Sequence, residues 1–380
     1  MSFSIGYPAP GQVTQNLDTV LTLAFANAGN TIFDQISRNN AFFFEIKKNG
    51  MYEGTSSLDP YIEVPLMYGL GNMEWYEGWD TLGTQPTEGV TAAVYPWRQA
   101  ACAAGYNRRE ARVTSAQKIK EISKVKIEQA QLTMVDGFNK AFFWGNAQTA
   151  GSNLYTPISS ATTGRSGLEP IGELIQFSAA SQYAQITTTQ TVGGLSASAN
   201  SWWANWSLDM SSAGTNVSTY ATFLSGLDQM IEQSALGVGG QVDLIVMDQV
   251  TRRILNSAYY NTYRRLLEKD NDYPFDNLLF RGAHVVCDQD VPNVNGSAAG
   301  GGAGSYTDTS IATGQGSIYG INSKFFKVKY DEECNFILSP LQKPVNQDGK
   351  VGHVMWMGNS VTTNRRKHFV IGGISRTINS

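Results

Sequence analysis

The spacing of apolar residues changes period several times along the chain, and each change marks an element. In "YIEVPLMYG" Ile62, Val64 and Leu66 fall two apart, and in "VTAAVYPW" Val90, Ala92 and Val94 do the same. A period of two puts one set of side chains on one face of a strand. The stretch between them, "WDTLGTQPTEG", is rich in turn formers. Residues 61–100 therefore predict a long two-stranded hairpin with Ile62, Val64, Leu66 and Val90, Ala92, Val94 as its covered sets. A hairpin alone is marginal in water, so this one needs another surface to lie on.

From about Glu110 to Phe143 the period lengthens. Ala116, Ile119, Ile127, Ala130, Met134, Phe138 and Ala141 recur mostly at three or four residues, while Lys118, Lys120, Glu121, Lys124 and Glu128 take other faces. That spacing predicts one helix. At about 1.5 Å per residue it would be a rod of roughly 50 Å, ending at Gly145 and Asn146. Residues 147–217 lose periodicity and read as loops, including "VGGLSASANSWWANWS". A second helix is expected in "TYATFLSGLDQMIEQSALGVGG", with Tyr220, Phe223, Leu224, Leu227, Met230 and Ile231 on one face and Gly237 as its stop. "VDLIVMD" reads as a buried strand, "QVTRRILNSAYYNTYRRLL" as a helix, and Ala283–Cys287 as a strand. Gly296–Gly316 is a Gly/Ser loop. Five short strands follow: "GSIYGIN", "FFKVKY", "NFILSP", "VGHVMWMG" and "HFVIGGISRTI". Near the start, "LDTVLTLAFANAG" predicts a short helix ending before Gly29.

At 380 residues the chain exceeds what one core usually holds, so two or three subdomains are expected. Charged residues make up 16%, against about 25% in ordinary soluble domains. A surface short of charge is one that other subunits can cover. The net charge of −4 lacks the basic excess that tight nucleic-acid binding needs. Cys102, Cys287 and Cys334 are too few and too far apart for a disulfide framework or a zinc site. The start "MSFSIGYPAPGQ" does not read as a signal peptide, and no run reaches the ~20 apolar residues of a membrane span.

Five stretches offer candidate chemistry. His284, Cys287, Asp288 and Asp290 crowd into seven residues, but no second ligand cluster completes a metal or acid/base site. The plainer reading is the end of a buried strand and its exit turn, with Asp bonding its own backbone and Pro292 fixing the exit. "GVGG" and "GGGAG" lack the pattern of a phosphate loop. Trp202, Trp203 and Trp206 could stack on sugar, but aromatic anchors of this kind also gather at subunit contacts. "NRRKHF" is the one compact basic stretch. It suits an interface charge pair or a solvated turn better than a nucleic-acid patch. No catalytic, cofactor-binding or metal-ligating residue is expected.

Taken in order, "VGGLSASANSWWANW", "VDLIVMDQVTRRI", "LLFRGAHVVCDQDVPN", "GSIYGINSKFFKV" and "FILSPLQKPVNQDGKVGHVMWMGNSVTTNRRKHFVIGGI" resemble the tailed-phage major capsid proteins of the HK97-fold group. Ser196 and Ala197 stand where that group often has an Arg. The resemblance implies an α+β fold with residues 1–45 as an N-arm and 46–109 as the extended hairpin, or E-loop, region. It further implies 110–216 as a peripheral domain with the long spine helix and a loop-rich insertion, 217–316 as an axial domain, and 317–380 as closing strands shared by both. It implies pentamers and hexamers closing into an icosahedral head around double-stranded DNA, built in the host cytoplasm and found in the virion. The partners implied are other copies of the chain, a separate scaffolding protein, a portal protein, a decoration protein, and DNA as a weakly held neighbour. Trp75, Tyr76, Trp79, Trp97, Trp202, Trp203, Arg365 and Arg366 are the expected subunit contacts. Lys47 and Lys48 precede the hairpin, yet no cross-link is expected. Two other readings stay open: an encapsulin-like nanocompartment shell enclosing an enzyme, and a Trp-rich carbohydrate-active enzyme.

Overall fold

The computed structural model describes residues 41–56, 59–81, 83, 88–107, 116–144, 167–177, 184–185, 191–210, 219–237, 239–262, 278–291, 293–295, 305–307, 316–340, 342–343, 345 and 348–375. The elements run α1 (Ala41–Lys48), β1 (Tyr52–Thr55), β2 (Tyr61–Met67), β3 (Val90–Pro96), β4 (Arg98–Asn107), α2 (Ala116–Trp144), α3 (Ile171–Leu174), β5 (Ala184–Gln185), β6 (Thr191–Val192), β7 (Leu195–Ser196), β8 (Trp206–Asp209), α4 (Tyr220–Ala235), β9 (Leu244–Met247), α5 (Gln249–Thr262), β10 (Leu278–Phe280), β11 (Ala283–Cys287), β12 (Asn293–Asn295), β13 (Ser305–Thr307), β14 (Gly316–Ile321), β15 (Phe326–Leu338), β16 (Gly349–Thr362) and β17 (Phe369–Ile374). This is the α+β content expected. The expected helix before Gly29, the Gly145–Asn146 stop and most of the Gly/Ser loop lie outside the described residues.

The chain divides into two compact units. The described residues within Asn39–Ala101, Val135–Ile337 and Met355–Ser380 form the larger, and those within Cys102–Met134 and Leu338–Val354 the smaller. The larger unit is built on a seven-stranded mixed sheet in the order β10-β11-β9-β14-β17-β8-β5. Its central strands β9, β14 and β17 are buried along their whole length, as near-continuous apolar runs should be. Phe223, Leu227, Met230 and Ile231 of α4 and Val250, Ile254 and Leu255 of α5 pack with Ile245, Met247, Ile318, Phe369 and Ile371 of the sheet into one core. The α4 stripe is the one predicted. Thr219 and Thr222 close the start of α4 by bonding each other's backbone N–H.

A second cluster joins α1 to the last turns of α2. The Phe42 ring lies 5.8 Å from that of Phe142 and 5.1 Å from that of Phe143. Phe43 lies 6.3 Å from Phe138. So the last residues of the expected N-arm, from Ala41, form a helix with Ala41, Phe42, Phe43, Glu45 and Ile46 buried in their own chain. In the smaller unit Ala104, Ala130, Met134 and Val354 are buried. There Lys126 Nζ donates to Gly105 O at 3.1 Å, and Ser339 N donates to His353 O at 2.8 Å.

Two expectations change. "FFKVKY" and "NFILSP" are one 13-residue strand, β15, not two. The apolar period breaks at Asp331–Asn335, and Phe336 takes a positive φ of 54°, yet the backbone stays extended on both sides. Residues 191–209 are not all loop. β6 and β7 pair across Gly193 and Gly194, whose φ values of 58° and 77° are those a two-residue hairpin turn requires. β8 enters the large sheet parallel to β17.

Candidate subunit-contact site

The predicted hairpin is present. β2 and β3 pair antiparallel from Tyr61↔Pro96 to Met67↔Val90. Ile62, Val64 and Leu66 are buried as expected, but on β3 the buried residues are Ala93 and Tyr95, not Val90, Ala92 and Val94. The register explains the correction. Ile62 faces Tyr95 and Val64 faces Ala93, and residues opposite each other in a ladder share a face. Both faces of the ribbon are therefore apolar. One packs into its own chain. The other shows Tyr61, Pro65, Met67, Val90, Ala92 and Val94 to solvent.

The base of the ribbon is built in. Val94 N donates to Gly193 O at 2.9 Å. Gly193 sits so close that an added Cβ would lie 2.9 Å from Ala93 Cβ and 3.0 Å from the Tyr95 ring. The buried Tyr95 hydroxyl donates to Thr362 O at 3.1 Å, and burial holds its phenol far above the usual range. Asn359 Nδ2 donates to Pro96 O at 2.9 Å, and Trp97 Nε1 to Asp59 O at 2.7 Å. Tyr68 stacks on Trp202 at 5.1 Å between centroids.

The tip is different. Tyr68 N and Gly69 N both donate to Gly89 O, at 2.8 and 3.3 Å, and close the neck. Beyond it Leu70, Met73, Trp75, Tyr76 and Trp79 stand out into solvent, Trp79 entirely (102% of its reference area). Local bonds shape the segment without covering it. Glu77 N donates to Asp80 Oδ2 and Gly83 N to Glu74 Oε2, each at 2.9 Å. From Tyr61 to Trp97 the acids are Glu63, Glu74, Glu77, Asp80 and Glu88, and there is no Lys or Arg.

The expected contact residues thus separate. Trp75, Tyr76 and Trp79 gather on the exposed tip. Arg366 is exposed, and Trp97 and Trp202 are partly so. Trp203 and Arg365 are not contacts. They keep 1% and 0% of their area, and a side chain with no surface in its own subunit has none to offer another. Trp203 Nε1 donates to Val192 O at 3.0 Å. Arg365 donates to Leu174 O, Trp203 O and Asn205 Oδ1 at 2.9, 2.9 and 3.0 Å. Lys367 is buried too, and its Nζ donates to the carbonyls of Ala235, Leu236 and Gly237 at the end of α4. The basic stretch therefore leaves Arg366 as its one exposed cation, too little for a phosphate track. Within the Trp cluster Trp203 is enclosed, Tyr68 lies on Trp202, and Trp206 is half-buried. Leu70, Met73, Met67 and Val90 belong to the exposed set and were missed. Leu70 and Met73 are apolar side chains in an acidic, Gly-rich stretch without helical or strand period, whereas Met67 and Val90 lie at the strand ends on the uncovered face of the ribbon.

His284, Cys287, Asp288 and Asp290 end a strand, as the plainer reading expected. Asp288 follows β11, and Asp290 N donates to Asp288 Oδ1 at 2.9 Å. Burial pushes the Cys287 thiol up to about 11, which makes it a poor nucleophile at neutral pH.

No family model and no curated protein matches the chain. Solved structures do. It is similar to the chain of the Cyanophage A-1(L) capsid asymmetric unit, at 13% identity over 91% of this chain and 96% of that one, with a TM-score of 0.58. It is similar to the capsid of an empty GTA particle at 12% identity over 91% and 94%, TM-score 0.52. It is also similar to the SrpI encapsulin of Synechococcus elongatus PCC 7942 at 9% identity over 94% and 96%, TM-score 0.51. The fold is the HK97-type capsid fold.

Proposed function

We propose that this chain is a capsid subunit whose copies close into the icosahedral head of a tailed phage around double-stranded DNA. The carrying observation is the ribbon. Its base is anchored by buried apolar residues and backbone bonds, while its outer face and aromatic tip lie open. At about 25 cal/mol per Å² of apolar area, leaving these side chains in water is a standing penalty that a neighbouring copy removes. Head-to-tail contacts of that kind close rings, which fits pentamers and hexamers. The same reading takes a separate scaffolding protein, a portal protein and a decoration protein as partners. It leaves DNA weakly held, because the net charge is −4.

The test is electron microscopy of the expressed chain, alone and with its virion proteins, for the wild type and for a variant with Trp75 and Trp79 changed to Ser. Rings or shells from the wild type that fail in the variant support the reading. A stable solitary molecule under every condition overturns it. The likeness to an encapsulin keeps a second reading, a nanocompartment shell. Particles carrying protein cargo and no DNA would favour that one.

A further inference from the structure

The turn that ends α1 carries a reactive pair. Asn49 follows the helix, and Gly50 follows Asn49 with a φ of 64°. Glycine takes that conformation without strain and often ends a helix this way. Gly50 is exposed, and a Cβ added to it would meet no neighbouring atom. The turn therefore stands open to water. No side chain at position 50 shields the backbone nitrogen from the amide of Asn49.

Three bonds fix the turn. Asn49 N donates to Glu45 O at 2.9 Å, and Met51 N to Ile46 O at 3.0 Å. Asn49 Nδ2 donates to Glu45 Oε2 at 3.1 Å, which draws the amide back along the helix. Glu45 is buried, at 3%. Past the turn Met51 is wholly buried. Its carbonyl accepts from Val328 N at 2.7 Å, where β1 joins β15. Asn49 and Gly50 thus link a packed helix to a packed strand.

We propose that Asn49 is a self-modifying site, at which the Gly50 nitrogen converts the side-chain amide to an acid while Glu45 holds the reaction back. Gly50 N gives up its proton to water and bonds to Asn49 Cγ. The Cγ–Nδ2 bond breaks, and the amide nitrogen takes a proton from water and leaves as ammonia. Water then opens the five-membered imide at either carbonyl. Attack at Cγ leaves an ordinary aspartate. Attack at the main-chain carbonyl leaves Gly50 joined through the former side chain. In all, one water enters and one ammonia departs, with no change of oxidation state.

Each product undoes the turn. The new carboxylate has no amide hydrogen to give Glu45 Oε2 and sets one acidic group against another. The rerouted linkage also lengthens the main chain by a methylene, so Met51 cannot keep both its bond to Ile46 and its bond from Val328. The helix that seats Phe42 and Phe43 then loosens from β1. The native bond opposes all of this, because the amide must leave Glu45 before Cγ can turn toward Gly50 N. A hydrogen bond of ordinary net strength restrains such an opening by roughly three- to tenfold. None of this rests on the capsid reading.

The test keeps the purified full chain at neutral pH and body temperature for several weeks and maps its peptides by mass spectrometry, with fragmentation that separates the two linkages. The second Asn–Gly pair, Asn295–Gly296, is the internal reference. Position 49 should gain the mass difference between an amide and an acid, in both linkages. Hydrogen exchange in the Phe42–Tyr52 peptide should quicken as it does. Glu45→Ala should convert roughly three- to tenfold faster. Gly50→Ala sets a methyl beside the attacking nitrogen and should nearly abolish conversion, and it serves if Glu45→Ala does not fold. Position 49 intact after Asn295 has converted overturns the proposal. So does an equal rate at position 49 in the wild type and in either variant.

Discussion

Arg365 Nη2 donates to Asn205 Oδ1 at 3.0 Å in the interior of the larger unit, and the same oxygen accepts from Gln176 N at 3.1 Å. Asn205 Nδ2 donates in turn to Gln176 O at 2.8 Å and Trp206 O at 3.1 Å. With its bonds to Leu174 O and Trp203 O, the guanidinium ties α3, the Trp202–Trp203 turn and the start of β8 together. Burial lowers its pKa to about 10, so it stays charged at neutral pH. Removing it strands the carbonyls of Leu174 and Trp203, leaves Asn205 Oδ1 with the Gln176 N–H alone, and opens a cavity. Arg365→Ala should destabilise the chain by about 3 kcal/mol or more. Arg365→Lys should not restore it, since a single ammonium lacks the fork that reaches all three. Arg366→Ala, on the exposed neighbour, should stay within about 0.5 kcal/mol. Urea denaturation of the three variants tests this, and equal effects at 365 and 366 would refute it.

The exposed tip carries the opposite expectation. Trp75 and Trp79 touch little of their own subunit, so changing both to Ser should leave the urea midpoint of the unassembled chain almost unchanged. An interface that buries such rings draws on them heavily. At roughly 2 kcal/mol or more per contact, the concentration needed for assembly should rise at least tenfold. Light scattering against protein concentration reads this directly. Unchanged assembly with an intact fold would show that the tip is not a contact.

Lys367 makes a third case. Its Nζ lies 3.3, 3.0 and 3.2 Å from the carbonyls of Ala235, Leu236 and Gly237, where the last carbonyls of α4 lack partners and the helix dipole favours a cation. Lys367→Met keeps the stem and removes the donors. It should lower stability by about 1–2 kcal/mol and speed hydrogen exchange at the end of α4 before anywhere else. Uniform loss across the chain would argue against a local role.

What was legible in the sequence follows from where period survives. The ribbon, the long helix α2, α4, α5 and the strands β9 and β11 all keep an apolar rhythm over several residues, and all were placed. β6 and β7 are two residues each, too short to show a rhythm. β8 hides in a Trp- and Asn-rich stretch and is a strand because β17 lies parallel to it. On β3 the rhythm was right and the face wrong. Val90, Ala92 and Val94 alternate as cleanly as Ala93 and Tyr95, and only the pairing with β2 selects which set goes inside. The fates of Arg365 and Arg366 were equally hidden. Asn364 Oδ1 accepts from Arg366 N at 3.2 Å in a turn that points one side chain in and the next out, which composition cannot reveal. At the tip the sequence shows only turn residues, and Trp75, Tyr76 and Trp79 were expected as contacts through the resemblance rather than from any pattern of their own.

His368 supplies the last prediction, because its titration opposes that of Asp288. The ring is wholly buried. Asn322 N donates to Nδ1 at 3.2 Å, so Nδ1 is the acceptor and Nε2 carries the hydrogen toward Thr362 Oγ1, also at 3.2 Å. A second proton would have to enter at Nδ1, against the Asn322 N–H. Burial, and then the charge of Arg365, lower the pKa from 6.5 to about 3. The folded value lies below the unfolded one, so the stability tied to the neutral ring is complete above about pH 6.5. It is lost as pH falls toward 3, at up to about 1.4 kcal/mol per pH unit. Burial raises the Asp288 carboxyl from 3.8 to about 6, so it works the other way across that range and the two partly cancel. The wild type should lose stability from pH 6.5 downward. His368→Asn should lose it less steeply, from a lower starting point, and Asp288→Asn more steeply, because the compensating proton is gone. Urea midpoints measured across this pH range for the three proteins separate the terms. Parallel curves for the wild type and His368→Asn would mean that another group drives the acid loss.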